Sequence, residues 1–407
     1  MTTREALTAR QEWRRGWHIV ASSHVGIGVG AGLYFYTSSL FVVPVSEAFG
    51  WSRGEISAGA ALGLLGSLSA PLIGRLADRY GARIVAGTST FLIGLVFIAL
   101  SKMSGPYWQF VVLSALLGIF APGATALTFS RVITGWFDRA KGQALGIMAA
   151  GASIGALLFT PLVAYMLATS GISGGYLTLA APAIVLGVPV ILLFMRDRSD
   201  DDGPTVKEPI ESESDPAPKH RIWATIRSRS FYALAVSVFC TNVPTSGVLT
   251  QLEPLLLFNG VTNTAPLISM YAVVVLIGRV GIGWLFDQGD ARYIAASVTL
   301  IAAAGCLMFM SGAPGWMTIA AVILVGLMQG MEVDAIGYFV AQQCPRDTFG
   351  VLFGLLLTIS LLGTALGIVG FGMLYDATQS YDLALTIAAC VMAVAFFSYL
   401  AIPTRKV

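Results

Sequence analysis

The sequence predicts an all-α integral membrane protein with twelve transmembrane helices arranged as two similar bundles of six. Its composition is the first reason, because 56% of the 407 residues are hydrophobic and 11% are charged, whereas soluble domains have about a quarter of their residues charged. Many apolar runs are also close to the roughly 20 residues that cross a bilayer as a helix. Finally, the stretch from Gly74 to Arg83 returns in related form from Gly283 to Arg292, which indicates two related halves.

Apolar segments can be drawn in order along the whole chain. They cover residues 17–43, 55–74, 84–102, 107–133, 142–167, 175–195, 231–258, 265–286, 293–311, 315–343, 349–374 and 382–402. Between the sixth and seventh lies the only long hydrophilic stretch, which is rich in acidic residues, Ser and Pro and is typical of a flexible linker. The predicted domains are therefore an N-terminal bundle at 1–195, a cytoplasmic linker at 196–229 and a C-terminal bundle at 230–407.

The positions of basic residues predict the orientation. Arginines precede the first apolar segment, which lacks a clear small-residue cleavage site and is expected to remain as a helix. If the N-terminus is cytoplasmic, only Arg53 and Lys102 lie in outward loops, in agreement with the positive-inside rule. We therefore expect a multi-pass protein of the cell inner membrane, with both termini in the cytoplasm. Its expected partners are the lipid bilayer and a small molecule, with no nucleic acid, and we expect a monomer.

The repeated loop is the most distinctive motif. In its first copy, GRLADRYGAR, we expect Asp78 to meet an arginine or a helix N-terminus from a neighbouring segment and to hold the cytoplasmic side shut. The glycines would allow a tight turn and close approach. The second copy, GWLFDQGDAR, has Gln288 in place of Arg79 and is the weaker match. The alternative is a loop that only fixes topology. The predicted gating residues are Gly74, Asp78, Arg79, Gly81, Arg83, Asp287 and Arg292.

GRLADRYGAR matches at every defined position the inner-loop signature G-x-L-[AS]-D-R-x-G-x-[KR] of the major facilitator superfamily. Three further stretches, Arg15–His18, Phe49–Ser57 and Trp136–Gly155, resemble the monocarboxylate porter family, and related oxalate/formate exchangers share parts of them. The resemblance covers much of the N-terminal half. It implies the major facilitator fold, in which two six-helix bundles rock about a central site.

The fifth segment carries Gly146, Gly151 and Gly155 at short intervals. Small residues at such spacing let transmembrane backbones approach closely. Either static packing or a sliding contact used in conformational change would explain them.

Arg279 is the strongest candidate for a substrate-binding residue. An arginine inside a transmembrane helix costs at least about 2.5–3.5 kcal/mol, so it should face a cavity and have an anionic partner. A guanidinium suits a carboxylate through two parallel hydrogen bonds. The resemblance implies the same, because monocarboxylate porters carry a substrate-binding arginine at this place. The alternative is that Arg279 extends to the cytoplasmic rim. Four tyrosines could add hydroxyl contacts or only pack: Tyr34, Tyr36, Tyr271 and Tyr338.

Three acidic residues are candidates for proton coupling. Glu332 and Asp334 lie two apart on one segment and so point in nearly opposed directions, with Glu332 at about the depth of Arg279. Either could neutralise Arg279 and release it on protonation, although a static salt bridge or inner-gate contact is an equal alternative. Glu253, near the outer end of the seventh segment, could be solvated at the rim or have a gating or proton role.

These features favour a secondary active transporter of small organic monocarboxylates, lactate- or pyruvate-like, by proton-coupled symport. A single fixed cation favours a single carboxylate, and the eleventh segment adds no second cation. The chain shows no ATP-binding loop, catalytic motif or metal-ligand spacing, so we expect neither an enzyme nor a cofactor, with the proton as coupling ion. The family's lysine in the first helix is replaced by Ser39. Alternatives are an organic-anion exchanger, a drug-type exporter, and a non-transporting receptor that signals through the linker.

Overall fold

The computed structural model describes residues 8–197, 223, 225–310, 315–343 and 349–403. Within these ranges every regular element is a helix, so the predicted all-α class is confirmed. The helices of the first half are α1 (Ala9–Val29), α2 (Ala31–Thr37), α3 (Val42–Phe49), α4 (Arg53–Leu65), α5 (Ala70–Tyr80), α6 (Ala82–Leu100), α7 (Tyr107–Phe120), α8 (Ala126–Trp136), α9 (Lys141–Ala181) and α10 (Val188–Phe194).

The second half contains fewer interruptions than the first. Its helices are α11 (Arg229–Thr250), α12 (Leu252–Phe258), α13 (Ala265–Gln288), α14 (Ala291–Met308), α15 (Gly315–Gln343), α16 (Phe349–Thr378) and α17 (Asp382–Leu400). Short 3₁₀ turns join α2 to α3, α4 to α5 and α7 to α8, and a π-helical turn joins α9 to α10.

Ten helical stretches of the described chain are long and apolar enough to cross a membrane. Two local features account for the difference from the twelve predicted segments. The predicted fifth and sixth segments form one helical stretch, Lys141–Phe194, with non-helical angles at Gly171 (φ 65°, ψ −162°). The predicted second segment is divided by the 3₁₀ turn Gly66–Ser69 into α4 and α5 and is not among the ten stretches.

The chain forms two compact units: Met1–Gly50 with Gly59–Pro209, and Trp51–Ala58 with Ile210–Val407. Helix α4 therefore begins in the second unit and ends in the first. Most of the predicted linker at 196–229 lies outside the described residues, and the predicted domain boundaries stay a prediction.

Glycines bring α1 and α9 together in the first unit. A Cβ atom on Gly28 would lie 2.7 Å from the carbonyl oxygen of Gly151, and a Cβ atom on Gly155 would lie still closer to the carbonyl oxygen of Gly28. By contrast, a Cβ atom on Gly146 would meet nothing within 4 Å. The expected close contact is therefore found at Gly151 and Gly155 and is wrong at Gly146, which leaves open whether the contact is static or sliding.

Glycines also set the approach of α13 and α15 in the second unit. A Cβ atom on Gly278 would lie 2.8 Å from the carbonyl oxygen of Leu327, and one on Gly330 would lie 2.7 Å from the backbone nitrogen of Arg279. Larger residues at these positions would push the helices apart. The backbone of Arg279 is thus held against the middle of α15.

Candidate functional site

Arg279 lies well inside α13, fifteen residues into a 24-residue helix that is apolar enough to span a membrane. Its side chain is half-buried. At a rise of about 1.5 Å per residue, its Cα atom is about 21 Å along the helix from Ala265. The placement puts a guanidinium in a partly buried position inside the helix, and the backbone of Arg279 lies close to Gly330 of α15.

Glu332 on α15 is buried, with 5% of its surface exposed. Its Oε1 atom is hydrogen-bonded to the hydroxyl of Thr245 on α11, and its Oε2 atom accepts a hydrogen bond from Gln329 Nε2 at 2.7 Å. The described contacts of this carboxyl group therefore run to Thr245 and Gln329. The sequence left open whether Glu332 or Asp334 neutralises Arg279, and that question stays open. The hypothesis that Glu332 carries the coupling proton remains untested by these contacts.

Two of the candidate tyrosines lie in the second unit. Tyr271 on α13 is fully buried, and its hydroxyl donates to Gln329 Oε1 at 3.5 Å, which places it beside the Glu332 carboxyl group. Tyr338 on α15 is half-buried, donates to the carbonyl oxygen of Phe286 at 3.1 Å and packs its ring on that of Phe286. The hydroxyl of Tyr338 thus joins α15 to the end of α13.

The polar face of α11 was not recognised in the sequence. It carries Asn242, whose Oδ1 accepts hydrogen bonds from Ser360 at 2.8 Å and Thr364 at 3.3 Å, both on α16. Pro244 removes one backbone donor inside this helix, and Thr245 donates to the carbonyl oxygen of Thr241 at 2.8 Å. Side chains on one face of α11 therefore bond to α15 and α16. Scattered Ser, Thr and Asn residues within an apolar window gave no signal of this arrangement.

Glu253 is placed differently from the first expectation. It lies at the start of α12, and Thr264 donates to its Oε1 atom at 3.3 Å. Its Oε2 atom is buried and has no hydrogen-bond partner among the described residues. The interpretation that water at the outer rim solvates Glu253 is therefore wrong for its Oε2 atom. A gating or proton role of Glu253 stays a prediction. Asp334 and Asp287 belong to α15 and α13, but their side chains lie outside the described part of the structure.

The remaining candidate tyrosines belong to the first unit, on the short helix α2. Tyr36 is buried and Tyr34 is half-buried, with its ring 5.5 Å from that of Phe97 on α6. Both follow the break in the first span at Gly30, where α1 ends. The ring contact of Tyr34 is what a packing aromatic makes, and a role of either hydroxyl in substrate binding stays a prediction.

Asp78 in the first copy of the repeated loop forms an ion pair, and its partner was not named by the sequence analysis. Asp78, near the end of α5, makes a salt bridge with Arg131 of α8, and the side chains are 57% and 49% exposed. Exposed pairs of this kind contribute about 0–1 kcal/mol. Arg79 is exposed, with its guanidinium carbon 5.3 Å from the ring centre of Tyr80.

Gly81 and Gly74 have different roles in this loop. Gly81 has φ +87°, and a Cβ atom there would lie 2.6 Å from Oδ2 of Asp197. That carboxylate accepts hydrogen bonds from the backbone nitrogens of Ala82 at 3.2 Å and Arg83 at 3.3 Å, and so caps α6. A Cβ atom on Gly74 would meet nothing within 4 Å, so the close approach expected there is wrong.

The second copy caps its helix with a residue of its own. Asp290 accepts a hydrogen bond from the backbone nitrogen of Arg292 at 3.1 Å and pairs with its guanidinium at 2.7 Å. Hydrogen bonds from the Arg292 side chain lower the pKa of Asp290. Arg292 also donates to the carbonyl oxygen of Ile402 at 2.9 Å, which ties α14 to the end of α17.

A further polar cluster in the second unit surrounds the first turn of α4. Asp376, near the end of α16, accepts hydrogen bonds from the backbone nitrogens of Arg53 at 3.1 Å and Gly54 at 2.8 Å. Arg53 donates to the hydroxyl of Tyr381 at 2.5 Å and stacks on the ring of Tyr375 at 3.7 Å. The sequence drew attention to this stretch through the resemblance of Phe49–Ser57 to a known family and through Arg53 as a basic residue of an outward loop.

Several known proteins are similar to this chain over most of its length. It is 21% identical over 388 residues to the uncharacterized MFS-type transporter YcxA of Bacillus subtilis, covering 93% of this chain and 92% of the relative. It is 26% identical to monocarboxylate transporter 11 of Mus musculus, with coverage of 95% and 87%. The Fujikurins efflux protein of Gibberella fujikuroi is 25% identical, with coverage of 76% of this chain and 65% of the relative.

The fold has a counterpart among solved structures. The inward open conformation of the xylose transporter XylE from E. coli matches with a TM-score of 0.73, covering 96% of this chain and 97% of that one, at 14% sequence identity. The sequence model of the protein family Major Facilitator Superfamily matches residues 25–368 of this chain. This match covers most of the helices described above, and the chain belongs to the Major Facilitator Superfamily.

Proposed function

We propose that this transporter carries small organic monocarboxylates, lactate- or pyruvate-like, by proton-coupled symport. The observation that supports the proposal is the position of Arg279, half-buried inside a spanning helix and next to the helix that carries Glu332. A guanidinium keeps its charge at physiological pH and fits a carboxylate through two hydrogen bonds. Its cost in the membrane would be offset by the substrate anion.

The coupling ion in this proposal is the proton, and Glu332, Asp334 and Glu253 are its candidate carriers. We place the protein in the cell inner membrane as a monomer with both termini in the cytoplasm, because basic residues are nearly absent from the outward loops of that topology. The similarity to monocarboxylate transporter 11 supports the substrate class.

Export of an organic anion or drug, or anion exchange, is the second candidate. The similarity to the Fujikurins efflux protein supports export. In an exporter Arg279 would still bind an anion, but the proton gradient would drive the substrate in the opposite direction.

Uptake by proteoliposomes distinguishes these functions. The purified protein is reconstituted, a labelled short monocarboxylate is added outside, and an inward proton gradient is imposed. Symport predicts accumulation above the equilibrium level, abolished by a protonophore and not competed by dicarboxylates. An exporter would show no acid-stimulated accumulation, an exchanger would need internal anion, and a receptor would bind the acid without flux.

A further inference from the structure

The hydrogen bonds around Glu332 join three helices of the second unit. The hydroxyl of Tyr271 on α13 donates to Gln329 Oε1 at 3.5 Å, and Gln329 Nε2 donates to Glu332 Oε2 at 2.7 Å. On the other side, the hydroxyl of Thr245 on α11 bonds to Glu332 Oε1. Thr245 is fully buried, as is Tyr271. The two oxygens of one carboxyl group therefore have partners of different kinds.

Glu332 Oε2 faces a group that can only donate. An amide nitrogen has hydrogens but no acceptor capacity, whereas the amide oxygen accepts. Because the Tyr271 hydroxyl occupies the amide oxygen of Gln329, the amide nitrogen is the atom turned toward Oε2. A hydrogen on Oε2 would oppose the hydrogens of this donor, so Oε2 is suited to remain an acceptor.

Glu332 Oε1 faces a group that can either donate or accept. The Thr245 hydroxyl has one hydrogen and two lone pairs, and the carbonyl oxygen of Thr241 lies 2.8 Å away as a second acceptor. When Oε1 carries a hydrogen, it can donate to Thr245 while Thr245 donates to Thr241. When Oε1 is ionised, the Thr245 hydrogen can turn to it. The hydroxyl keeps a hydrogen bond to Oε1 in both states.

We propose that Oε1 of Glu332 is the atom that takes up and releases the coupling proton, with Thr245, Gln329 and Tyr271 as its positioning residues. This inference rests on the proposed proton-coupled symport. The proton comes from water and returns to water, the O–H bond at Oε1 forms and breaks, and the Thr245 hydrogen changes its acceptor. An aliphatic residue at position 245 could serve neither state, because it can neither donate nor accept a hydrogen bond.

Among the described side chains, the other titratable groups near Glu332 stand on α13 and α17. On α13 they are Tyr271 and Arg279, whose backbone lies against the adjoining turn of α15. On α17, Tyr399 interacts electrostatically with Glu332. Helices α11, α14 and α16 belong to the same unit. Their charged residues lie near the helix ends: Arg229, Arg292 and Asp376. Asp334 shares α15, with its side chain outside the described part.

Infrared titration of the purified full-length protein in lipid tests the inference without any substrate. The absorption of protonated carboxyl groups is followed against pH. The component assigned to Glu332 should disappear in Glu332→Gln and persist in Asp334→Asn and Glu253→Gln. In Thr245→Val its midpoint should rise by about one pH unit, because a hydrogen bond to a charged group is stronger than one to a neutral group. Thr245→Ser should keep the wild-type midpoint.

Gln329→Leu removes the donor to Glu332 Oε2 and should also raise the midpoint of the Glu332 titration. This variant serves as the test if Thr245→Val does not fold. The pH profile of uptake should move with the infrared midpoint in each variant. An unchanged midpoint in Thr245→Val or Gln329→Leu would overturn the inference. So would an infrared titration of Glu332→Gln that does not differ from that of the wild-type protein. A wild-type protein that shows no proton-driven uptake would instead contradict the proposed function, whatever the infrared titration shows.

Discussion

Gly81 and Asp290 occupy equivalent positions in the two copies of the repeated loop, yet they cap the following helix in opposite ways. Gly81 has no side chain and leaves room for the carboxylate of Asp197, which follows α10 in the chain. Asp290 supplies the carboxylate itself. In both cases an acidic group satisfies free N–H groups and favours the positive end of the helix dipole. The function of the position is retained although its residue is not.

Gly81→Ala is expected to lower the free energy of unfolding by about 1–3 kcal/mol, through the left-handed backbone and the contact with Asp197. Gly74→Ala is the matched control, because a Cβ atom there meets open space and alanine favours the helix. Thermal unfolding in detergent measures both. Equal melting temperatures for the two variants would show that the Asp197 cap contributes little.

At the scale of single residues, functional positions could be predicted from the sequence where they belong to a local motif. Asp78 and Gly81 stand at fixed places in a loop motif. Their partners Arg131 and Asp197 lie 53 and 116 positions away in the chain, and no local spacing relates them. For the same reason the sequence offered either Glu332 or Asp334 as a partner of Arg279 and did not indicate the hydrogen bonds of Glu332 to Thr245 and Gln329.

At the scale of elements, the first turn of α4 is fastened to α16. Asp376 accepts hydrogen bonds from two of its backbone amides, and a Cβ atom on Gly372 would lie 2.6 Å from Ser57 Oγ. Ser57 in turn accepts from Gln251 Nε2 at 2.9 Å. A short segment distant in sequence is thus built into the second unit through a capped helix end and close backbone packing.

Asp376→Ala is expected to loosen this turn. Loss of a helix cap costs about 0.5–2 kcal/mol, so hydrogen exchange at the amides of Arg53 and Gly54 should become about tenfold faster. Mass spectrometry of peptides covering residues 51–58 provides the measurement. Glu47→Gln, which changes an exposed carboxylate on α3, should leave the rate unchanged. If Asp376→Ala also leaves it unchanged, the cap does not hold the turn.

The positions of the spans were accessible from the sequence because apolar length is a local property. Interruptions such as the 3₁₀ turn Gly66–Ser69 were not, since they depend on how neighbouring helices supply partners for freed backbone groups. The polar face of α11 escaped detection for a similar reason. The role of Asn242 depends on hydrogen bonds from Ser360 and Thr364, which lie on another helix, α16.

At the scale of the whole molecule, the chain is a multi-pass membrane transporter of the Major Facilitator Superfamily and not an enzyme. Composition, apolar length and the loop motif sufficed to predict this class, because the bilayer allows few alternatives to helices. They do not specify the substrate, which depends on a few side chains. The proposed substrate class therefore depends most on the binding of a carboxylate by Arg279.

The binding of a short monocarboxylate to Arg279 variants tests that claim most directly. Ligand-dependent thermal stabilisation of the purified protein measures it, with Lys102→Ala, an exposed lysine outside the helices, as the control. Arg279→Ala should bind about a hundredfold or more weaker than wild type while unfolding at a similar temperature without ligand, and Arg279→Lys should retain weak binding. Wild-type affinity in Arg279→Ala would contradict the account.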